Sequence, residues 1–284
     1  MVPSLVHSVD VGDTSVHVVE RGEGLPLIVL HGWPGDSHLM FADYLDPLCD
    51  GCRLLFVDLR GHGRSGAVSK ERWTLERMAN DVTLIAERLD LGDFALLGHS
   101  FGSFVAIEHA IDHPGSASRT ILSCSAASDR FIWAGYDDFE PPELKQQLTE
   151  AAREERKVVD ADHFARIYRR QLPFFFADPR DPRIDEYWER RNTERFSAEA
   201  ARFFAVEADI DIEFEERLPT IPQPVLVIAG LHDRATPVEA ARGLAQAIPN
   251  AELTVLEHSG HWPFVEEPEA YVRAIAAFLG IESH

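Results

Sequence analysis

Gly98-His99-Ser100-Phe101-Gly102 follows directly on the apolar run Phe94-Ala95-Leu96-Leu97 and leads directly into Ser103-Phe104-Val105-Ala106-Ile107. This order reads as a strand, a tight turn and a helix, with one serine at the apex. A side chain at such an apex is held in a strained backbone conformation. Gly98 and Gly102 remove the Cβ atoms that would keep strand and helix apart. The helix that follows aims its free N–H groups, and the positive end of its dipole, at any anion formed on a substrate. Ser100 is therefore the candidate nucleophile. Two glycines around a serine also occur in ordinary turns, and it is the strand before and helix after that give these two meaning.

A nucleophilic serine needs a base to take its proton, an acid to orient that base, and donors for the oxyanion. Pro26-Leu27-Ile28-Val29-Leu30 reads as a buried strand ending in His31-Gly32-Trp33-Pro34-Gly35, a turn that frees its backbone to present an N–H. The backbone N–H groups of Trp33 and Phe101 are the expected oxyanion donors. Pro224-Val225-Leu226-Val227-Ile228-Ala229-Gly230 is another buried strand, with Asp233 just beyond it. Leu253-Thr254-Val255-Leu256 runs into Glu257-His258-Ser259-Gly260-His261-Trp262-Pro263. His261 is preferred to His258 as base, because His258 lies closer to the strand end. Asp233 is preferred to Asp129 as acid, because the stretch from 233 to 261 holds one helix and one strand.

With these motifs in register, the chain resembles the α/β-hydrolase superfamily over nearly its whole length. Ser100, Asp233 and His261 fall in the chain order of that family's triad. Val57-Asp58-Leu59-Arg60-Gly61-His62-Gly63-Arg64-Ser65 looks like the loop after its fourth strand, and Gly260-His261-Trp262-Pro263 like its histidine loop. The resemblance implies an α/β fold with a mostly parallel eight-stranded sheet flanked by helices, and an inserted helical cap. It implies acyl transfer without a cofactor. No H-E-x-x-H or comparable ligand spacing points to a metal.

Size and charge bound the rest. A chain of 284 residues is long enough for one large core with an inserted smaller unit. Lys+Arg of 27 against Asp+Glu of 48 leaves a net charge of −21, which opposes nucleic acid and anionic membrane surfaces. The partner expected is a small-molecule or short-peptide substrate; nothing in the residues reads out an oligomeric state. Three cysteines, no basic-then-apolar leader and no apolar run near 18 residues suggest a cytoplasmic protein. Cys49 and Cys52 form a C-x-x-C without a second ligand pair, and Cys124 reads as core.

Along the chain, residues 3–20 alternate around Gly12-Asp13 as an opening hairpin. Residues 74–90 repeat Leu75, Met78, Ala79, Val82, Ile85, Ala86 and Leu89 at three and four, an amphipathic helix. Thr236-Pro237-Val238-Glu239 reads as a capping box just past Asp233. The last helix, about 267–279, is expected to pack Ala270, Ala274, Ala277 and Phe278. Residues 1–126 and 218–284 form the expected core, and 127–217 the cap, broken at Pro141-Pro142, Pro173 and Asp178-Pro179-Arg180-Asp181-Pro182. Ile132, Trp133, Tyr136, Phe164, Tyr168, Phe174, Phe175 and Phe176 from the cap are candidates for an apolar pocket, with Trp262 added from the histidine loop. His31 and His99 are expected to tie their rings to backbone carbonyls beneath the site, and Asp58 and Arg60 to form a bracing pair.

The expected reaction is hydrolysis of a small ester, lactone or amide through an acyl-enzyme on Ser100. His31-Gly32-Trp33-Pro34-Gly35 is also similar to epoxide hydrolases, but those use an aspartate where this chain has Ser100. The same motif resembles proline iminopeptidases, whose cap carboxylates hold the substrate's free amine. Glu207, Asp209, Asp211 and Glu213 are acidic candidates for that reading, while Ala201-Arg202-Phe203-Phe204 lacks the glutamate-asparagine motif expected there. A third reading is a non-catalytic ligand-binding member, since a fold alone does not imply turnover.

Overall fold

Leu25–Leu30 carries no polar side chain, and a strand with no polar face must be covered on both sides. In the computed structural model, which describes residues 3–191, 196–208 and 212–282, this strand lies inside an eight-stranded sheet. The strands are β1 Ser4–Asp10, β2 Ser15–Arg21, β3 Leu25–Leu30, β4 Cys52–Val57, β5 Ala95–His99, β6 Arg119–Ser123, β7 Val225–Gly230 and β8 Ala251–Leu256, in the spatial order β1-β2-β4-β3-β5-β6-β7-β8. β2 is antiparallel to both neighbours, and every other pairing is parallel.

The helices are α1 Leu75–Arg88, α2 Phe101–Asp112, α3 Pro142–Glu155, α4 Ala161–Phe175, α5 Arg183–Arg190, α6 Ala198–Val206, α7 Val238–Ala247, α8 Pro263–Glu266 and α9 Pro268–Leu279. Successive strand residues point to opposite faces, and the core divides accordingly. Ile28, Leu30, Leu55, Val57 and Val227 meet α1, α2 and α7 on one face. Leu27, Val29, Leu54, Phe56 and Ile228 meet α9 on the other. α3–α6 lie in the chain between β6 and β7, and Phe164, Ile167, Tyr168 and Leu172 of α4 join the second cluster.

The connection from β3 leads outward to β4, while β5 returns to the opposite side of β3. The sheet order therefore reverses at the β3/β5 seam, and the loops leaving the carboxyl ends of these strands part around a crevice. Those loops begin with His31-Gly32-Trp33 and with Ser100.

Three local expectations are corrected. Pro173 does not break a helix but sits in the last turn of α4. α9 packs Ala270, Ala274 and Phe278 half-buried against the second cluster as expected, but its fully buried residues are Tyr271, Val272, Ile275, Ala276 and Leu279, and Ala277 faces solvent. Thr236 forms no capping box: α7 starts at Val238 without a side-chain cap, and the threonine hydroxyl turns to Asp233 instead. Among the described residues no helix is long and apolar enough to cross a membrane.

Candidate active site

Ser100 stands between β5 and α2 with φ 50° and ψ −119°, a backbone region that costs a non-glycine residue about 1–3 kcal/mol. Its surroundings over-determine that conformation. A Cβ on Gly98 would lie 2.2 Å from the Gly102 carbonyl oxygen, and one on Gly102 would lie 2.6 Å from the carbonyl oxygens of Leu30 and His31. The Ser100 N–H donates to the Ser123 carbonyl at 2.8 Å. Although Ser100 occupies the N-cap of α2, its hydroxyl makes no capping bond. That hydroxyl lies 2.9 Å from His261 Nε2.

His261 Nδ1 lies 2.8 Å from Asp233 Oδ2. With Nδ1–H donating to the carboxylate, Nε2 is left to accept the serine proton. Asp233 Oδ1 accepts from the backbone N–H groups of Ala235 and Thr236 at 2.8 and 2.9 Å, and Oδ2 also accepts from the Thr236 hydroxyl at 2.9 Å. The acid is thus oriented from four sides. The alternatives His258 and Asp129 are both exposed; the His258 N–H donates to Glu267.

The histidine loop has its own clamp. The His261 N–H donates to the Phe175 carbonyl at 2.6 Å. Glu266 of α8 accepts from the N–H groups of Gly260 at 2.8 Å and Ala177 at 2.7 Å. Desolvation of this buried carboxyl pushes its pKa up to about 7. Glu266 went unread in the sequence because Glu266-Glu267-Pro268 looks like the acidic opening of a helix.

The geometry at Trp33 follows from His31. Its buried ring lies with Nδ1 2.7 Å from the Gly32 carbonyl, while Nε2 is 3.1 Å from the Leu59 N–H. Burial holds the imidazole below its ordinary pKa, so the neutral ring donates through Nδ1 and accepts through Nε2. In a trans peptide the carbonyl and the N–H point opposite ways. Fixing the Gly32 oxygen therefore turns the Trp33 N–H away from His31. Phe101 is the first residue of α2, so its N–H has no partner within the helix. Among the described residues no backbone acceptor takes either N–H.

These groups open onto a cavity of about 300 Å³ lined by Ser100, His261, Trp33, Phe101, Thr236 and a largely apolar remainder that includes Ile132, Trp133, Phe175, Phe204 and Ile212. Tyr136, Phe164, Tyr168, Phe174, Phe176 and Trp262 are not among the lining residues, and those expectations are corrected. Phe164, Tyr168, Phe176 and Trp262 are fully buried. Phe174 stacks behind Trp133, with ring centroids 4.9 Å apart. Tyr136 directs its hydroxyl to Thr149 at 2.5 Å. These rings give the wall cohesion and leave contact with the cavity to their neighbours. A lining residue unread in the sequence is Glu155, hidden in the charged run at the end of α3.

Two second-layer expectations also change. His99 bonds through Nδ1 to the Ser123 hydroxyl at 3.1 Å, not to a carbonyl. Asp58 and Arg60 do not pair. Asp58 accepts from His38 Nδ1 at 2.6 Å and from the N–H groups of His38 and Arg64, whereas Arg60 pairs with Asp81 and Asp13. Among the acidic candidates, Glu207 pairs with Lys70 and Glu213 accepts from Ser128; Asp209 and Asp211 lie outside the described residues. Among the described residues, His17 with His38 and Asp58, and Cys124 with Asp233 and His261, bring three possible metal-ligand atoms within 4.8 Å. In each set the carboxylate is already engaged by protein donors.

The fold accords with comparison to known proteins. The profile of the alpha/beta hydrolase fold family matches residues 26–268, and the chain belongs to that family. The AB hydrolase superfamily protein YisY of Bacillus subtilis is 29% identical over 93% of this chain and 95% of its own length. A proline iminopeptidase of Clostridium botulinum is 26% identical, covering 91% of this chain and 90% of the relative. Among solved structures, an alpha/beta fold family hydrolase from Bacillus anthracis superposes with a TM-score of 0.80 at 21% identity, over 97% of this chain and 99% of the other. A thermophilic esterase from Thermogutta terrifontis gives 0.73 at 25%, over 98% of each chain.

Proposed function

We propose that this protein is a serine hydrolase that cleaves a small carboxylic ester, lactone or amide through an acyl-enzyme, with residues 127–217 as the cap that walls its substrate cavity. The observation that carries the reading is the unbroken series Ser100 Oγ, His261 Nε2, His261 Nδ1 and Asp233 Oδ2, at 2.9 and 2.8 Å. His261 takes the Ser100 proton as Oγ attacks the carbonyl, and Asp233 holds the tautomer and stabilises the imidazolium. The oxyanion forms between the N–H groups of Trp33 and Phe101, where losing one donor costs about 10²–10³ in rate. The protonated imidazole gives its proton to the leaving group. Water then repeats the cycle on the acyl-enzyme.

The mostly apolar lining supports a hydrophobic acyl group or ring. A second reading, an aminopeptidase acting on a free N-terminal residue, is supported by the similarity to the iminopeptidase. A fluorophosphonate probe should label the wild type and fail on Ser100→Ala. Failure to label the wild type overturns the hydrolase reading. Labelling without turnover across p-nitrophenyl acyl esters and proline p-nitroanilide would favour a ligand-binding role. Cleavage of the anilide only when its amine is free would favour the peptidase.

A further inference from the structure

Glu155 is the last residue of α3 and lines the cavity with Ser100 and His261, yet the proton transfers above do not use it. Its Oε1 accepts from the indole Nε1 of Trp33 at 3.1 Å, and its Oε2 accepts from Gln171 Nε2 at 2.9 Å. Both donors are neutral. Trp33 itself has φ 31°, a positive value that a bulky residue adopts only when its surroundings impose it. Edge-on rings of Tyr168 and Phe175, each at 4.8 Å between centroids, confine the indole, and the bond to Glu155 fixes its rotation.

We propose that Glu155 is a positioning residue: by holding the Trp33 indole it maintains the backbone twist at position 33, and so ties helix α3 to the N–H that receives the oxyanion. The loop is then gripped at two points. His31 sets the Gly32 carbonyl from below, and Glu155 sets the Trp33 side chain from the cavity side. Loss of either grip lets the peptide turn away from the developing charge, which slows the chemical step and leaves ground-state binding in place. This inference rests on the hydrolase reading of Ser100.

The test compares Glu155→Ala, Glu155→Gln, Trp33→Phe and the double variant Trp33→Phe with Glu155→Ala on one uncharged p-nitrophenyl ester. Glutamine keeps an oxygen for the indole. Its amide can donate to Gln171 Oε1, which has no partner among the described residues, once the Gln171 amide rotates. We expect kcat to fall about tenfold in Glu155→Ala with KM within about twofold, and to be nearly restored in Glu155→Gln. Trp33→Phe should match the alanine loss, and the double variant should lose no more than either single. A tenfold loss also in Glu155→Gln, additive losses in the double variant, or an effect on KM alone would overturn the proposal. The Trp33 indole N–H resonance, assigned with Trp33→Phe, gives a readout free of turnover: it should shift in Glu155→Ala and stay near its wild-type position in Glu155→Gln. An unmoved resonance in Glu155→Ala removes the latch. A wild type that hydrolyses no ester while this resonance behaves as expected faults the hydrolase reading alone.

Discussion

The hydroxyl of Thr236 donates at 2.9 Å to Asp233 Oδ2, the same carboxylate oxygen that lies 2.8 Å from His261 Nδ1. Hydrogen bonds to a charged acceptor contribute about 1.5–3 kcal/mol. Only the part that helps orient the carboxylate reaches the rate. Thr236→Val should lower kcat/KM about tenfold, with Thr236→Ser recovering most of it. Steady-state kinetics on both variants check this, and an undiminished Thr236→Val would show that the backbone donors at 235 and 236 suffice.

Glu266 should give the protein a measurable pH signature. Desolvation first, opposed by the bonds from Ala177 and Gly260, leaves its pKa raised to about 7, against about 4.3 in an unfolded chain. Between these values the folded state holds a proton that the unfolded state has released, so the contribution is full below about pH 4 and is lost as pH rises toward 7. The loss reaches an order of 3 kcal/mol. Urea midpoints of wild type and Glu266→Gln, measured at pH 5 and pH 7.5, should show the wild type falling relative to the variant. Parallel midpoints would contradict this.

Asp36 and Arg191 form an ion pair whose side chains are 0% exposed, and Tyr168 donates to the second Asp36 oxygen at 2.9 Å. Removing one partner of such a pair leaves a buried charge and costs about 3–5 kcal/mol. Asp36→Ala should therefore destabilise strongly. Asp36→Leu combined with Arg191→Met should regain much of the loss, as read by chemical denaturation. Equal destabilisation of the single and double variants would mean that packing, not charge, governs this contact.

Gly102→Ala tests the close approach of α2 to β3. The added methyl would meet the Leu30 and His31 carbonyl oxygens at 2.6 Å, so the helix must retreat and carry the Phe101 N–H with it. We expect kcat to fall by about 10² or more with a lower thermal midpoint. A fully active Gly102→Ala would show that this contact is dispensable.

The sheet was legible in the sequence because buried parallel strands such as Leu25–Leu30 and Val225–Gly230 are continuous apolar runs punctuated by glycine. Ser100 and Asp233 could be read for the same reason, each lying just beyond the carboxyl end of such a run, and His261 from the shorter stretch Leu253-Thr254-Val255-Leu256 of the half-buried last strand. Glu155 and Glu266 could not, since each lies among other acids and only tertiary packing selects one of them for burial. The capping-box pattern at Thr236 failed through competition, because a nearby carboxylate attracts the hydroxyl more strongly than a free helix N–H. Aromatic content located the wall of the cavity but not which rings face it, because Trp133 and Phe174 stack on each other and only one reaches the lumen.

The loop bearing Asp233 is stitched to residues 127–217 at two places. The N–H groups of Trp133 and Gly135 donate to the Ala235 and Arg234 carbonyls at 2.8 and 3.0 Å, and the Arg234 guanidinium reaches the Phe176 and Ala177 carbonyls at 2.7 and 3.0 Å. Phe175 in turn holds the His261 main chain. A chimaera that transplants the whole stretch from a relative would exchange the struts of Asp233 and His261 together with the cavity wall. Grafts confined to α6, Ala198–Val206, would leave both strips and Glu155 native while exchanging Ala201, Phe204 and Ala205 of the cavity wall, which makes that helix the safer place to vary specificity by recombination.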